Sequence, residues 1–228
     1  MKLKTLTVAT AALFTTGAMA ASTSVYLEQQ VDSNATKDSV YATEVGANIN
    51  TSENGNVFIG MDDQGWLAAG YGHDFSLSDQ WDMNLYGEVG KWDDGEEALA
   101  EATFIYQAHS NFNLFGGLGY NYASNTESQY SDISTSYGTG SVFAGTQMNF
   151  GQVFLDYKYT YEQVDGVTGV SSLPSEDFST HEHEVIMGMT FDEWTPYVKY
   201  TYFDSNGVID SSSIQSDSIW TLGIAYQF

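Results

Sequence analysis

Apolar and polar residues alternate with period 2 over most of the chain after its first twenty residues, and no later segment carries the 3.6-residue apolar stripe of an amphipathic helix. From Trp81 to Lys91, the residues Trp81, Met83, Leu85 and Val89 alternate with Asp82, Asn84, Tyr86 and Glu88. From Phe112 to Tyr122, the residues Phe112, Leu114, Leu118 and Tyr120 alternate with Asn113, Gly117, Gly119 and Asn121. Val153, Leu155, Tyr157, Tyr159 and Tyr161 repeat the pattern, and Trp220, Leu222, Ile224, Tyr226 and Phe228 close the chain with it. Read with the turn residues, the pattern predicts about twelve strands, with about ten as the alternative count. They start near residues 23, 39, 56, 66, 81, 98, 112, 137, 152, 181, 195 and 217. The fold class is all-β.

The connections separate one all-β architecture from another. Longer polar stretches (Val31 to Asp38, Trp92 to Glu97, Ser124 to Ser136, Val164 to Thr180, Ser205 to Ser216) alternate with tight turns at Thr51 to Gly55, Ser76 to Gln80, Ser110-Asn111, Asn149 to Gly151 and Asp192 to Trp194. Long connections at one end and short ones at the other predict a transmembrane antiparallel up-and-down β-barrel of the outer-membrane type. Asp62 to Gly65 is short where a long loop is due, so the second hairpin is expected to stand low at the outer rim. A soluble sandwich or jelly roll shares the alternation but lacks aromatic girdles. Here Phe75, Trp81, Phe112, Phe150, Phe191, Trp194 and Phe228 fall at the turn ends of the apolar faces, and Tyr122, Tyr161, Tyr202 and Trp220 supply an opposite ring.

The first residues read differently. Lys2 and Lys4 precede an apolar run from Leu6 to Phe14, and Ala18-Met19-Ala20 stands before Ala21. That is the layout of a secretory signal peptide over residues 1–20, too short to span a bilayer as a helix. The barrel domain is then residues 21–228, exported to the cell outer membrane. Without the first two lysines, Lys37, Lys91, Lys158 and Lys199 face 30 acidic residues, and the chain has neither arginine nor cysteine. Nucleic acid is excluded as a partner, because phosphate binding needs clustered Lys and Arg. The 16 Tyr, 13 Phe and 5 Trp exclude disorder despite the charge.

The terminal stretch Trp220-Thr-Leu-Gly-Ile-Ala-Tyr-Gln-Phe228 resembles the strand by which Gram-negative outer-membrane barrels are recognised for assembly. The resemblance implies that Trp220, Leu222, Ile224, Tyr226 and Phe228 form an assembly signal read by the barrel-assembly machinery, with outer-membrane lipid and lipopolysaccharide as surroundings. Over residues 21–228, size, export signal and strand count resemble the small monomeric porins of the oligogalacturonate-specific type. Those porins line their interior with basic residues for acidic sugars, and this chain departs from them there. The resemblance therefore implies architecture and a monomer, and no substrate-binding residue.

The inward register carries Glu28, Glu44, Asp62, Asp74, Asp82, Glu88, Glu101, Asp156, Glu162, Glu182 and Glu184, opposed by Lys158 and Lys199. Two lysines cannot pair so many acids, so water and mobile cations are the expected partners, and the field should favour cations. Phe58, Trp66, Tyr86, Phe115, Phe154, Tyr197 and Phe203 share the inward register, as filler or as a slide for neutral saccharides. His181 and His183 project to the opposite face with no third ligand, so no metal site is expected there. Asp93, Asp94, Glu96, Glu97, Glu176 and Asp177 read as an acidic rim, without the spacing of an EF-hand. No serine is tied by spacing to a histidine and an acid, so neither catalysis nor a cofactor is expected. The expected function is a porin-like channel for passive diffusion of small hydrophilic solutes, cation-preferring or for neutral saccharides. The alternative is a non-conducting barrel serving adhesion or envelope integrity.

Overall fold

The computed structural model describes residues 23–32, 42–92, 95–126, 134–168, 178–206 and 216–228. The predicted signal peptide, Asp93, Asp94, Glu176 and Asp177 lie outside the described residues, as does most of the sequence of the predicted longer loops. Twelve strands follow one another: β1 Ser24–Asp32, β2 Thr43–Asn50, β3 Gly55–Asp62, β4 Leu67–Ser76, β5 Trp81–Trp92 and β6 Gly95–His109, then β7 Phe112–Thr126, β8 Ser134–Phe150, β9 Val153–Thr168, β10 Phe178–Met189, β11 Trp194–Asn206 and β12 Ser216–Gln227. Each pairs antiparallel with its chain neighbours, and β1 closes on β12. The sheet is a closed up-and-down barrel of twelve strands, which sets aside the count of ten.

Closure removes the edges that an open sheet would expose. The seam ends on the Phe228 N–H, which donates to the Thr23 carbonyl at 2.9 Å, while on the other edge of β12 the Gln227 N–H donates to the Glu193 carbonyl, in the turn before β11, at 2.9 Å. Tight turns need special backbone at few places. Gly65 (φ 93°) and Gly151 (φ 71°) supply it without strain, and Asp192 (φ 50°) is the non-glycine exception among the described residues. The predicted loop from Trp92 to Glu97 is corrected, since β6 begins at Gly95 and Glu96 and Glu97 pair with Lys91 and Gly90. Two adjacent acids look like loop, but their neighbours on β5 satisfy their backbone.

The pairing registers sort the faces. Leu85, Val89, Leu118, Val142, Met187 and Leu222 stand exposed on the outside. Phe75, Trp81, Phe150, Phe191, Trp194 and Phe228 are exposed at the turn end, and Tyr122, Tyr202 and Trp220 at the other. Among the outward side chains described, charge occurs only at Lys91, Glu96 and Asp204, all near the loop end. An apolar band bounded by aromatic rings is the surface a bilayer requires.

Inside, two clusters pack: Phe58, Ala68 and Tyr86 with Tyr26, Trp66 and Leu99 against them, and Ile105 with Phe115 and Phe143. Glycines on neighbouring strands let rings lie flat on the wall. Tyr197 covers Gly223 and Phe115 covers Gly145, where any side chain would meet the ring.

Candidate functional site: the inner wall

Alternation along each strand fixes which residues turn inward, and cross-strand pairing decides what they meet. Glu28, Glu44, Asp82, Glu88, Glu101, Asp156, Lys158, Glu162, Glu182, Glu184 and Lys199 all lie on the inner face, as do Asp62 and Asp74. The structure divides them into two sets.

On β1 to β6 the acids are held by other side chains or by backbone. Glu28 forms an ion pair with Lys199, Nζ to Oε2 at 3.1 Å, and accepts from the Tyr197 hydroxyl at 2.6 Å. The Tyr26 hydroxyl donates to Glu44 at 2.5 Å, and the Tyr86 hydroxyl donates to Glu88. Asn84 donates to Asp74 at 2.7 Å, Gln107 to Asp82 at 2.7 Å, and Thr103 to Glu101 at 3.0 Å. Asp62 Oδ1 accepts from the Gln64 and Trp66 amides at 2.9 and 2.8 Å. On this side uncharged side-chain donors and backbone amides join the partners expected of these acids. Phenols and amides carry no charge, so these donors add hydrogen bonds and no positive charge to this side of the wall.

The second set lies on β9 and β10, where Asp156, Glu162, Glu182 and Glu184 surround Lys158. Glu184 pairs with Lys158 across the ladder, Glu182 with Thr160, and Ile186 with Asp156. Lys158 Nζ also stands 4.5 Å over the Phe143 ring, a cation–π contact. Lys199 on β11, the neighbour of β10 on its other side, also faces Glu184, so along this wall the acids outnumber the lysines four to two.

The inward aromatics act mainly as packing. Phe58, Tyr86, Phe115, Tyr197 and Phe203 are buried, which leaves little ring face for a sugar to stack on. Several inward residues escaped the alternation, Leu99 and Ile105 of the inner clusters among them. Glu97, taken for a rim acid, accepts from the Trp66 indole N–H at 3.0 Å. Tyr26 stacks near Phe58 with ring centroids 6.5 Å apart, and Phe143 belongs to the second inner cluster. The parity of Glu97 with Glu101 was the available signal for Glu97.

On the outer face, His181 and His183 sit among tyrosines. Tyr159 Oη lies 2.7 Å from His181 Nδ1, and Tyr157 Oη lies 2.9 Å from His183 Nδ1. Tyr161 and Tyr202 flank them with ring centroids 5.2 and 6.3 Å away. Among the described residues no group of three or more His, Asp or Glu is arranged to hold a metal ion.

No family model matches the chain, and no curated protein matches it. Solved structures do. A NanC porin superposes with TM-score 0.69 at 12% identity, over 90% of this chain and 100% of that one. The fold is that of a twelve-stranded outer-membrane porin barrel. A KdgM porin in complex with disordered oligogalacturonate superposes with TM-score 0.62 at 8% identity, over 90% and 99% of the two chains. An outer-membrane channel from Pseudomonas putida F1 gives TM-score 0.69 at 7% identity, over 93% and 97%. At these identities the likeness is one of fold, and the porin architecture expected from strand count and girdles is the one found.

Proposed function

We propose that this barrel is a porin-like channel of the outer membrane, passing small hydrophilic solutes by diffusion and preferring cations. The observation that carries the reading is the excess of acids on the inner wall: Asp156, Glu162, Glu182 and Glu184 share Lys158 and Lys199, and Lys199 is also paired with Glu28, while Glu44 and Glu88 are met by uncharged donors. Low-dielectric walls of one sign focus their field and concentrate counter-ions. Lipid and lipopolysaccharide surround the barrel as a monomer, and β12 with its terminal Phe228 is the segment read by the assembly machinery. The cation reading is preferred to a saccharide slide because most of the inward rings are packed.

Single barrels in planar bilayers are expected to conduct in discrete steps, with K⁺ favoured over Cl⁻ most strongly at low salt, where the Debye length exceeds about 10 Å. The variant Asp156→Asn/Glu162→Gln/Glu182→Gln/Glu184→Gln should move the reversal potential in a salt gradient toward zero. Neutralising the outward Glu96 should move it far less. A folded but silent barrel would favour the non-conducting alternative, and anion selectivity would overturn the cation preference.

Assembly offers a separate check. Deleting Phe228 is expected to slow insertion and leave chains with periplasmic proteases, seen as a smaller heat-modifiable band in outer-membrane fractions. An undiminished band would remove the terminal-strand role.

A further inference from the structure

The two inner lysines are held in opposite ways. Lys199 is clasped by Glu28, with Nζ 3.1 Å from Oε2 and 3.4 Å from Oε1. Lys158 carries the same ammonium and has more acids about it. Glu184 stands directly across the ladder from it, and Glu162 and Glu182 lie within its electrostatic reach. Among the described residues, however, no carboxylate oxygen comes within ion-pair distance of the Lys158 ammonium. Nζ stands instead 4.5 Å from the centroid of the Phe143 ring.

The strand register explains the choice. Lys158 on β9 faces Gly145 on β8, and Phe143 is the next inward residue of β8 toward the loop end, opposite Thr160. Such diagonal neighbours are about 7–8 Å apart, within reach of a long side chain. The ring itself is fixed. Phe143 is buried over Gly117 of β7, where any side chain would meet it, and it packs with Ile105 and with Phe115, whose ring centroid is 6.5 Å away. The ammonium is therefore drawn toward β8, on the far side of β9 from Glu182 and Glu184. Attraction to an aromatic face at an exposed site amounts to about a two- to fivefold preference.

Where the ammonium stands decides what the acids can do. The field of a close ion pair falls off faster with distance than that of a lone charge, so a carboxylate clasped by lysine offers little to a passing cation. With the lysine on the ring, Asp156, Glu162 and Glu182 keep their charge for the lumen. We propose that Phe143 is a specificity-determining residue of the channel, acting through Lys158. It holds the ammonium off the carboxylates of β9 and β10 and so preserves their pull on cations. This assignment rests on the channel reading above, and it gives a share of the selectivity to an uncharged ring.

The test is the reversal potential of the purified barrel in planar bilayers, in a KCl gradient at low salt. Phe143→Leu leaves every charge in place, yet it should lower the K⁺-to-Cl⁻ permeability ratio by about twofold or more, because the released ammonium pairs with the acids. Phe143→Tyr keeps the ring face and should retain the wild-type ratio. In a Lys158→Met background, Phe143→Leu should change nothing further, whereas a merely structural effect of losing the ring would persist there. If Phe143→Leu gives no heat-modifiable band, Phe143→Met, which also lacks a ring, takes its place. An unchanged ratio in the ring-less variant, an equal loss in Phe143→Tyr, or a drop that persists without Lys158 would each overturn the assignment. A wild-type barrel with no cation preference would end the cation reading and this assignment together, while a selective wild type that keeps its ratio in Phe143→Leu would end this assignment alone.

Discussion

Lys199→Met is expected to destabilise the folded barrel by about 3–5 kcal/mol, among the largest effects of any single inward substitution. The ion pair with Glu28 sits in the inner wall with both side chains only 7% exposed. Removing the ammonium strands a carboxylate that has left bulk water and retains only the Tyr197 hydroxyl. The geometry makes this more than a local loss: Lys199 and Tyr197 on β11 reach across β12 to Glu28 on β1, so the contact bridges the seam where the chain ends meet. The double variant Glu28→Leu/Lys199→Met should recover most of the stability, since an apolar pair of similar volume often replaces a buried ion pair at little loss. Tyr197→Phe should cost about 1.5–3 kcal/mol, the range for a hydrogen bond to a charged group. Urea unfolding midpoints of the detergent-folded barrel measure all three. A Lys199→Met midpoint equal to wild type would show that water reaches the pair freely.

Leu118→Arg tests the outer face. Leu118 is 59% exposed and lies midway between Phe112 and Tyr122 on β7, so an arginine there meets mid-bilayer hydrocarbon at about 2–4 kcal/mol. Ser141→Arg, on the inner face of β8 opposite Glu162, should lose much less because carboxylates surround it. Reconstitution into thin-chain lipid vesicles followed by chemical denaturation reads both, and equal losses would mean that the faces are reversed. Asn84 and Asn121 also turn inward, yet both are buried, so neither offers the tolerance that alternation alone suggests.

Those two asparagines show where sequence stops being informative. Period-2 alternation places a residue on a face because the pleat does so by geometry, and β5, β7, β9 and β12 were legible for that reason. β8 was harder to read. Its outward places include Gly138, Gly140, Ala144 and Thr146 while Tyr137 and Phe143 turn inward, so polarity barely changes between faces. The acids were legible as inward, but their partners were not. Tyr26 and Glu44 are 18 residues apart, and Lys199 and Glu28 are 171 apart, and only the closed ladder brings them together. Strand starts slipped where polar strand ends resemble loops, as at Gly95 and Ser134. The short β3–β4 connection was legible from Asp62 to Gly65, but the packing of Phe58 with Ala68 and Tyr86 needed the register of β3 to β5.

The rings that lie over glycines work as keys in a lock. Sliding β11 against β12 by two residues would keep every side chain on its proper face, so polarity alone does not forbid it. It would, however, drive Tyr197 from Gly223 onto Thr221 or Ala225, where a Cβ already fills the place of the ring. Phe115 meets the same obstacle if β7 slides from Gly145 toward Phe143 or Gln147. Stagger between strands sets the tilt and radius of a closed sheet. A handful of aromatic keys therefore sets the bore of this barrel, and widening it by engineering would require moving the glycines first.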